Sequence, residues 1–354
     1  MMGAATCAEL EVLSEVSPEL DPAWVGALAL AHYGIEGLLK PLSGERDRNY
    51  LLQSAAGGAQ YMLKISHPGE MPVVADFQTQ ALLHIAAVDP GLSVQRMIPA
   101  HDGQPSFICC APDGLQRVVR LFSYLPGEPL PNVPRTLRQR QHLAQILARV
   151  DRALGSFDHP AGALTLPWDI QRADSVRGLL IHISDPSRRS VAEQVLHHFE
   201  RYTKPVLPTL RQQPIHNDLN IYNVLVDAND TDRIAAILDF GDMVRAPLIN
   251  DLAVAAAYQL GASPDDPLAD VLAFVAAYHA VLPLTSAEID VLFSLMLARL
   301  VMVVAISGWR AERYPENATY LLRNNALSWV RLLACNRMGH QAATLRLRQA
   351  CGFN

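Results

Sequence analysis

The sequence carries little charge. Only 18% of its 354 residues are Asp, Glu, Lys or Arg, and the formal net charge is −6. A protein whose main partner is nucleic acid needs a strongly basic surface. We therefore expect no nucleic-acid partner. A nucleotide stays compatible with this composition, because a local site can be basic or bridged by a metal ion.

Cysteine is also scarce, and no two cysteines are spaced as Cys-x-x-Cys. The five are Cys7, Cys109, Cys110, Cys335 and Cys351. Cys109 and Cys110 are adjacent in a strand-like run, so their side chains point to opposite faces. The pattern indicates free thiols in a reducing compartment, and we expect a cytoplasmic protein.

Targeting and membrane signals are missing as well. The N-terminus has no basic region ahead of an apolar one, so it does not resemble a secretory signal. The most apolar segment, Val291–Ile306, contains Arg299 and is short for a membrane span. We expect it to be a buried helix and expect no membrane partner. The sequence does not indicate an oligomeric state.

The chain also lacks internal repeats and low-complexity tracts. Half of its residues are hydrophobic, which is enough to bury a sizeable core. A chain of this length is expected to form one large or two medium domains.

The strongest functional signal lies in residues 214–242, PIHNDLNIYNVLVDANDTDRIAAILDFGD. Two short apolar runs are separated by a polar, turn-rich break, which predicts a β-hairpin. Such a hairpin places Asp218, Asn223 and Asp239 at neighbouring loop ends. Two carboxylates and an amide offer the oxygen ligands that Mg²⁺ prefers. Any one of these residues alone is better explained as a solvated loop residue.

The order His-x-Asp-x-x-x-x-Asn followed by Asp-Phe-Gly resembles the catalytic and metal loops of the protein-kinase-like fold. Asn217 stands where protein kinases usually carry Arg, which is similar to the aminoglycoside phosphotransferase and choline kinase branch. The resemblance implies an α+β fold of two lobes, a small antiparallel sheet and a mainly helical lobe. It also implies that Asp218 takes the acceptor's proton, that Asn223 and Asp239 hold Mg²⁺, and that His216 supports the loop.

The resemblance assigns a nucleotide triphosphate to the sheet lobe. Its phosphates would be covered by the loop that contains Ser43, Gly44, Arg46 and Asp47, where backbone N–H groups could hold phosphate oxygens. This loop lacks Gly-x-Gly-x-x-Gly and is similar to the polar loops of the aminoglycoside-kinase branch. Lys64, in the third strand, is the expected phosphate contact. The alternative is an edge-strand lysine that faces solvent.

The partner of Lys64 departs from the kinase pattern. In kinases a glutamate of the following helix pairs with the strand lysine. In this chain the corresponding position carries Gln78 or Gln80. A glutamine can accept a hydrogen bond but brings no charge, so Glu70 or Asp76 is an alternative partner.

We predict four segments along the chain. These are a flexible N-terminus (1–20), a nucleotide-binding sheet lobe (21–122), a hinge (123–127), and a helical lobe (128–354) that carries the catalytic loops and the acceptor site. The hinge is indicated by the break at Pro126-Gly127. By the resemblance, backbone groups of Phe122, Ser123 and Tyr124 would meet the nucleotide base.

Hydrophobic patterning predicts the individual elements. The predicted strands are 35–42, 49–54, 60–65, 94–98, 106–110 and 116–122. The predicted helices are 23–33, 76–88, 136–154, 174–183, 187–209, 247–260, 267–281, 286–307, 316–336 and 340–349. Asp251 stands near the start of one helix, where its charge suits the macrodipole. The resemblance implies that it also holds the backbone of the catalytic loop.

Within this family, the sequence resembles the hydroxylysine kinase group most. This narrower resemblance is less specific than the catalytic motifs and rests on four segments: HYG at 32–34, ERDRN at 45–49, HNDLN at 216–220 and LDFGDM at 238–243. This implies transfer of the γ-phosphate of GTP or ATP to the hydroxyl of 5-hydroxylysine. Related members act on homoserine, choline, ethanolamine or aminoglycosides, and the catalytic motif does not separate these acceptors.

An amino-acid acceptor needs a cation for its carboxylate and acids for its amines. By residue type and position, the candidates are Trp168, Asp169, Asp242, Trp309, Arg310 and Arg313. Each is equally well explained as a surface or packing residue.

Two other functions stay open. A catalytically weak nucleotide-binding module that regulates a partner is favoured only by the missing helix glutamate. Asp218, Asn223 and Asp239 argue against it, because all the metal and base groups are present. A kinase that acts on proteins is less favoured, because no long segment resembling an activation loop follows Asp239.

Overall fold

The computed structural model describes residues 18–42, 44, 46–261, 263 and 265–353. Its first lobe is built on a six-stranded antiparallel sheet of order β1-β2-β3-β6-β4, in which β5 also pairs with β6. The strands are β1 (Gly37–Leu42), β2 (Arg48–Ser54), β3 (Gln60–Ile65), β4 (Met97–Ile98), β5 (Ser106–Cys110) and β6 (Gln116–Ser123). The predicted strand 94–98 is shorter than expected. Val94 leaves the sheet and forms a single bridge to Ile237 in the other lobe.

Helix α1 (Pro22–Tyr33) packs on the sheet. It begins at the cap Asp21, whose side chain accepts a hydrogen bond from the backbone N–H of Ala23, and it ends at Gly34 with φ of 67°. Its apolar side joins a core of sheet residues that includes Leu20. The predicted flexible N-terminus falls mainly on residues 1–17, which lie outside the described residues.

Helix α2 (Pro72–Val88) follows the sheet's third strand but packs against the helical lobe. It begins four residues before the predicted start, because proline suits the first helical turn. Phe77, Leu82 and Ile85 are buried in the core of the helical lobe. The ring of Phe77 stacks on Phe157 with centroids 5.8 Å apart. This helix therefore joins the two lobes through apolar contact.

The helical lobe follows residues 123–127, the predicted hinge. Its α-helices in the described chain are α3 (Leu137–Leu154), α4 (Pro186–His198), α5 (Leu248–Ala257), α6 (Ala269–Val281), α7 (Ser286–Arg313), α8 (Ala318–Leu321), α9 (Asn325–Met338) and α10 (His340–Ala350). Three predicted helices differ from the structure. Residues 170–182 form 3₁₀ turns, α4 gives way to a π-helical turn at Phe199–Thr203, and the predicted helix 316–336 is divided by a turn at 322–324.

Helix α7 is the central helix of this lobe. Thr285 and Glu288 form a capping box at its start. Within the described residues it is the one helix long and apolar enough to cross a membrane, and 94% of its most apolar window is buried inside the protein. Its 28 residues make it longer than the predicted segment. Burial, rather than short length, identifies it as a core helix.

Two small sheets position the predicted catalytic segment. The β-hairpin is confirmed: β9 (Val224–Val226) pairs with β10 (Ile234–Ile237), and β7 (Glu128–Pro129), just after the hinge, pairs with β9. The second sheet pairs β8 (Gln212–Ile215) with β11 (Val244–Pro247). A Cβ on Gly127 would stand 2.8 Å from the Val226 carbonyl oxygen, so glycine permits the hinge to reach the hairpin.

Candidate active site

The loop that follows β8 is anchored through two of its backbone N–H groups. The two carboxylate oxygens of Asp251 accept hydrogen bonds from the backbone N–H groups of His216 and Asn217, both at 2.8 Å. Asn217 has φ of 65°, a conformation uncommon for a residue with a side chain. Asp251 thus stands where the resemblance expects it, one turn into α5, and fixes a strained loop.

A second buried carboxyl group supports Asp251 from α3. Asp151 is fully buried, and the hydroxyl of Tyr278 donates to its Oδ2 at 2.5 Å. Burial, followed by the negative charge of Asp251, raises the pKa of Asp151 well above its usual range. The raised pKa favours the protonated form of Asp151.

His216 is enclosed by the same loop. Its Nδ1 accepts a hydrogen bond from the backbone N–H of Asp218 at 3.2 Å, so Nε2 carries the proton and donates to the Leu238 carbonyl at 3.0 Å. The ring is completely buried and packs edge-on against Phe240. Both nitrogens are committed to the backbone, which suits the supporting role expected for His216.

Asp218 faces the cavity between the lobes with both oxygens held. Arg299 of α7 donates to Oδ1 at 2.7 Å. Asn220 and Asn223 donate to Oδ2 at 2.8 and 2.9 Å. The carboxylate is thereby fixed in one orientation, as positioning of an acceptor hydroxyl requires.

Arg299 is the main site residue that sequence reasoning missed as such. It is 2% exposed, and its guanidinium also donates to the Trp168 carbonyl and lies 5.0 Å from the centre of the Trp168 ring. The signal was an arginine inside an apolar helix, a residue that is costly to bury without an anion. That anion is Asp218, 81 positions earlier in the chain.

Asn223 and Asp239 fit the expected metal role. The amide nitrogen of Asn223 is turned to Asp218, which leaves its oxygen for another ligand. Asp239 has φ of 61°, and its Oδ1 accepts the backbone N–H of Gly241 at 3.1 Å. No group of three or more His, Cys, Asp or Glu converges as a metal site in the described residues. Two protein oxygens suit Mg²⁺, which takes further ligands from phosphates and water.

Lys64 lies on the opposite wall of the cavity and pairs with Asp47 at 3.0 Å. Burial alone would lower the pKa of Lys64, but the carboxylates of Asp47 and Asp239 outweigh burial and raise it. Likewise, burial would raise the pKa of Asp47, but Lys64 and the backbone N–H of His67 lower it. Lysine and aspartate are therefore both charged.

The expected partners of Lys64 have other contacts. Gln78 accepts a hydrogen bond from Arg120 at 2.8 Å and donates to the Gly241 carbonyl at 3.2 Å. Asp76 lies 3.1 Å from His159, and its other oxygen accepts from Gln80. The proposed pairing of Gln78, Gln80 or Asp76 with Lys64 is thus wrong. The loop carboxylate of Asp47 takes the place of the helix glutamate, because Gln78 is hydrogen-bonded to the buried guanidinium of Arg120.

Glu70, the remaining alternative, lies at the edge of this cluster. Its Oε1 is 3.5 Å from the amide nitrogen of Gln78. Burial, and then the charge of Asp47, raise its pKa. The structure thus gives Lys64 the carboxylate of Asp47, and Glu70 is not its ion-pair partner.

The remaining nucleotide candidates fall into two groups. Gly44, Arg46, Asp47, Phe122 and Tyr124 line the cavity. Ser43 lies outside the described residues, and the Ser123 hydroxyl turns away to accept the backbone N–H of Arg96 at 2.9 Å. A Cβ on Gly44 would stand 2.7 Å from the Asp47 carbonyl oxygen, so the single glycine of this loop permits its tight turn.

The cavity has a volume of about 790 Å³ and continues past Asp218 into the helical lobe. One wall is a stripe of α7 that we call the α7 stripe: Arg299, Val303, Ser307 and Arg310. Their spacing places them on one helix face over about 16 Å. The far end of the wall is formed by residues 320–324, beyond α7 in the chain.

The structure places three of the six acceptor candidates at the cavity wall and three elsewhere. Trp168, Asp242 and Arg310 line the cavity, whereas Asp169, Trp309 and Arg313 do not. Asp169 is buried and caps the following turn by accepting the backbone N–H of Gln171 at 3.0 Å. Trp309 is 6% exposed and packs in the main core. Arg313 lies 6.0 Å from the centre of the Tyr314 ring at the end of α7.

The model of the phosphotransferase enzyme family matches residues 38–287. The chain belongs to this family. The family resemblance and the enzyme class expected from the motifs are thereby confirmed: this phosphotransferase acts on a hydroxyl group of a small molecule.

Among characterised proteins, the chain is similar to hydroxylysine kinases over most of its length. Hydroxylysine kinase of Mus musculus is 26% identical over 351 residues, which cover 93% of each chain. Hydroxylysine kinase of Danio rerio is 28% identical over 323 residues, 87% of this chain and 89% of the relative.

Solved structures confirm the two-lobe α+β fold. A microcompartment-associated aminopropanol kinase is 21% identical with a TM-score of 0.64, covering 91% of this phosphotransferase and 98% of that chain. An amicoumacin kinase, solved with AMP-PNP and Ca²⁺, is 15% identical with a TM-score of 0.65, covering 90% and 95%.

Proposed function

We propose that this phosphotransferase transfers the γ-phosphate of GTP or ATP to the hydroxyl of a hydroxylated amine or amino acid, with 5-hydroxylysine as the leading acceptor. The observation that carries the proposal is the Asp218 carboxylate, fixed by Arg299 and Asn223 between the nucleotide wall and the α7 stripe. The similarity to hydroxylysine kinases supports the choice of acceptor.

Each chemical role then belongs to one residue of this chain. Asp218 orients the acceptor hydroxyl and receives its proton, while Lys64 binds a phosphate oxygen. Asn223 and Asp239 would hold Mg²⁺, which supplies positive charge for the phosphates when it is bound. The transition state is loose and asks little covalent chemistry of the protein, so fixed orientation accounts for most of the catalysis.

A screen of acceptors with both nucleotides tests the proposal. Purified protein is incubated with Mg²⁺, GTP or ATP, and 5-hydroxylysine, homoserine, choline, ethanolamine or an aminoglycoside. We expect phosphorylated 5-hydroxylysine as the main product. Product from homoserine or choline, with none from 5-hydroxylysine, would move the chain to another branch of the family. Absence of turnover with every acceptor would favour a regulatory nucleotide-binding module.

The structure weighs against a kinase that acts on proteins. Between Asp239 and the start of α5 at Leu248 there are only eight residues, and β11 takes up four of them. This leaves no room for a long activation loop.

A further inference from the structure

Arg323 lies at the far end of the cavity, in the turn between α8 and α9. Its guanidinium carbon is 4.1 Å from the centre of the Tyr222 ring and 4.2 Å from the centre of the Tyr320 ring. Tyr222 directly precedes Asn223 in the catalytic loop. The cation is therefore held against the loop that positions Asp218.

The two rings lie against the guanidinium of Arg323, which is exposed and lines the cavity. Stacking occupies the flat faces of a guanidinium, whereas its N–H groups point outward in its plane. In the described part of the chain these N–H groups meet no carboxylate and no other hydrogen-bond acceptor. A guanidinium whose N–H groups have no protein acceptor matches a carboxylate, which can accept two parallel hydrogen bonds.

Three other basic side chains of the cavity have partners within the protein. Lys64 pairs with Asp47, and Arg299 pairs with Asp218. Arg120 is bound by Gln78 and by the Ala75 carbonyl. Arg323 thus differs from these three cations, because its partners are aromatic rings and no protein anion faces it.

The turn that carries Arg323 is fixed to the α7 stripe. The side-chain amide of Asn325 donates to the Ser307 hydroxyl at 2.8 Å and to the Val304 carbonyl at 3.3 Å. Ser307 in turn donates to the Val303 carbonyl at 2.6 Å. Arg323 is therefore held in place before a ligand arrives, which lowers the entropy cost of binding.

We propose that Arg323 binds the carboxylate of the acceptor, so that this enzyme selects amino acids over amines that lack a carboxylate. The inference rests on the proposed function and deepens it by assigning the acceptor's chemical class to one residue. Tyr222 and Tyr320 flank the guanidinium, and both Arg323 and Asp218 line the same cavity.

The test compares paired acceptors that differ only in the carboxylate, namely 5-hydroxylysine and the hydroxylated diamine obtained from it by decarboxylation. In Arg323→Met we expect kcat/KM for 5-hydroxylysine to fall about 10- to 100-fold, the range of a lost charge-assisted hydrogen-bond pair. The loss for the diamine should stay below about threefold, and the nucleotide KM should not change. Arg337→Met, at an exposed position of α9, is the matched control and should match wild type for both acceptors.

A second pair of variants tests the stacking. Tyr320→Phe keeps the ring, and Tyr320→Leu removes it. We expect the phenylalanine variant to retain the preference for the carboxylate-bearing acceptor and the leucine variant to lose much of it. If Tyr320→Phe and Tyr320→Leu show the same acceptor preference, the Tyr320 ring does not hold the guanidinium for the ligand.

The outcomes separate this inference from the proposed function. If homoserine replaces 5-hydroxylysine as the acceptor and Arg323→Met selectively impairs it, the leading acceptor is wrong and the carboxylate site stands. If the enzyme phosphorylates only carboxylate-free acceptors, or none at all, the carboxylate site is overturned. An equal loss for both acceptors, or a raised nucleotide KM, also overturns it, because Arg323 would then support the fold or contact a phosphate.

Discussion

At the scale of single residues, the two aspartates of the cavity have different environments and should fail in different ways. Asp218 is held by amides and Arg299, whereas Asp239 stands next to Gly241 and faces the phosphate region. Asp218→Asn keeps the shape but removes most of the proton-accepting ability. We expect it to lower kcat by at least a hundredfold and to leave Mg-nucleotide affinity within a few fold.

Asp239→Asn should weaken both nucleotide binding and turnover, because it removes a charge from the proposed metal site. Calorimetry of Mg-nucleotide binding, measured beside steady-state rates, separates the two variants. If Asp218→Asn instead loses nucleotide binding and retains kcat at saturation, the roles assigned to the two aspartates are exchanged.

The buried acid Asp151 predicts a pH dependence of stability. Its pKa is raised in the folded protein, so the folded state keeps a proton that the unfolded chain releases above the usual aspartate pKa of about 3.9. The stability that Asp151 contributes is fully present below the pKa of the unfolded aspartate. It is lost as the pH rises toward the higher pKa that Asp151 has in the folded protein. Asp151→Asn has no such proton, so its stability relative to wild type should increase by up to about 1.4 kcal/mol per pH unit within this window.

Urea unfolding from pH 5 to pH 8 measures this difference. Parallel stability curves for Asp151→Asn and wild type would mean that Asp151 is ionised in the folded protein. Asp151→Leu offers a contrast, since it leaves the Tyr278 hydroxyl without its acceptor and should destabilise the protein at every pH.

At the scale of elements, the loop after β1 controls the lysine of β3. Asp47 reaches Lys64 and is itself fixed by the backbone N–H of His67. Asp47→Asn keeps the second contact and removes the charge. We expect kcat/KM for the nucleotide to fall about tenfold or more, because Lys64 is no longer oriented.

A double-mutant cycle with Lys64→Ala checks this coupling. Lys64→Ala alone should cost orders of magnitude, and adding Asp47→Asn should then cost little more, because both changes remove one interaction. Asp102→Asn, in an exposed turn, is the control and should match wild type. Additive losses would show that Asp47 acts on the nucleotide independently of Lys64.

The elements also show what the sequence could and could not predict. Asp218, Asn223 and Asp239 lie at the ends of one short hairpin, so their spacing alone was enough to place them together. Arg299 joins them from 81 positions away, and that contact depends on how α7 packs against the loop. In the same way, Asp47 could not be identified as the partner of Lys64, because the choice depends on Arg120 taking Gln78.

At the scale of the whole molecule, we expect α2 to make the two lobes unfold together, since its apolar side lies in the core of the helical lobe. Phe77 is 1% exposed and stacks on Phe157. Phe77→Ala should cost about 3–5 kcal/mol of unfolding free energy. Hydrogen exchange should show peptides of β3 and α7 losing protection together. Loss confined to one lobe would mean that the lobes unfold independently.

The α7 stripe has a consequence for how such enzymes diverge. Its second, third and fourth members line the part of the cavity where we propose that the acceptor binds, while the first secures Asp218 and the hairpin lies on another part of the chain. Substitutions at Val303, Ser307 and Arg310 can therefore reshape the acceptor pocket without changing the residues that handle phosphate. A library confined to these three positions would sample new acceptors while keeping the phosphoryl-transfer groups in place, which is a short evolutionary path between kinases of different substrates.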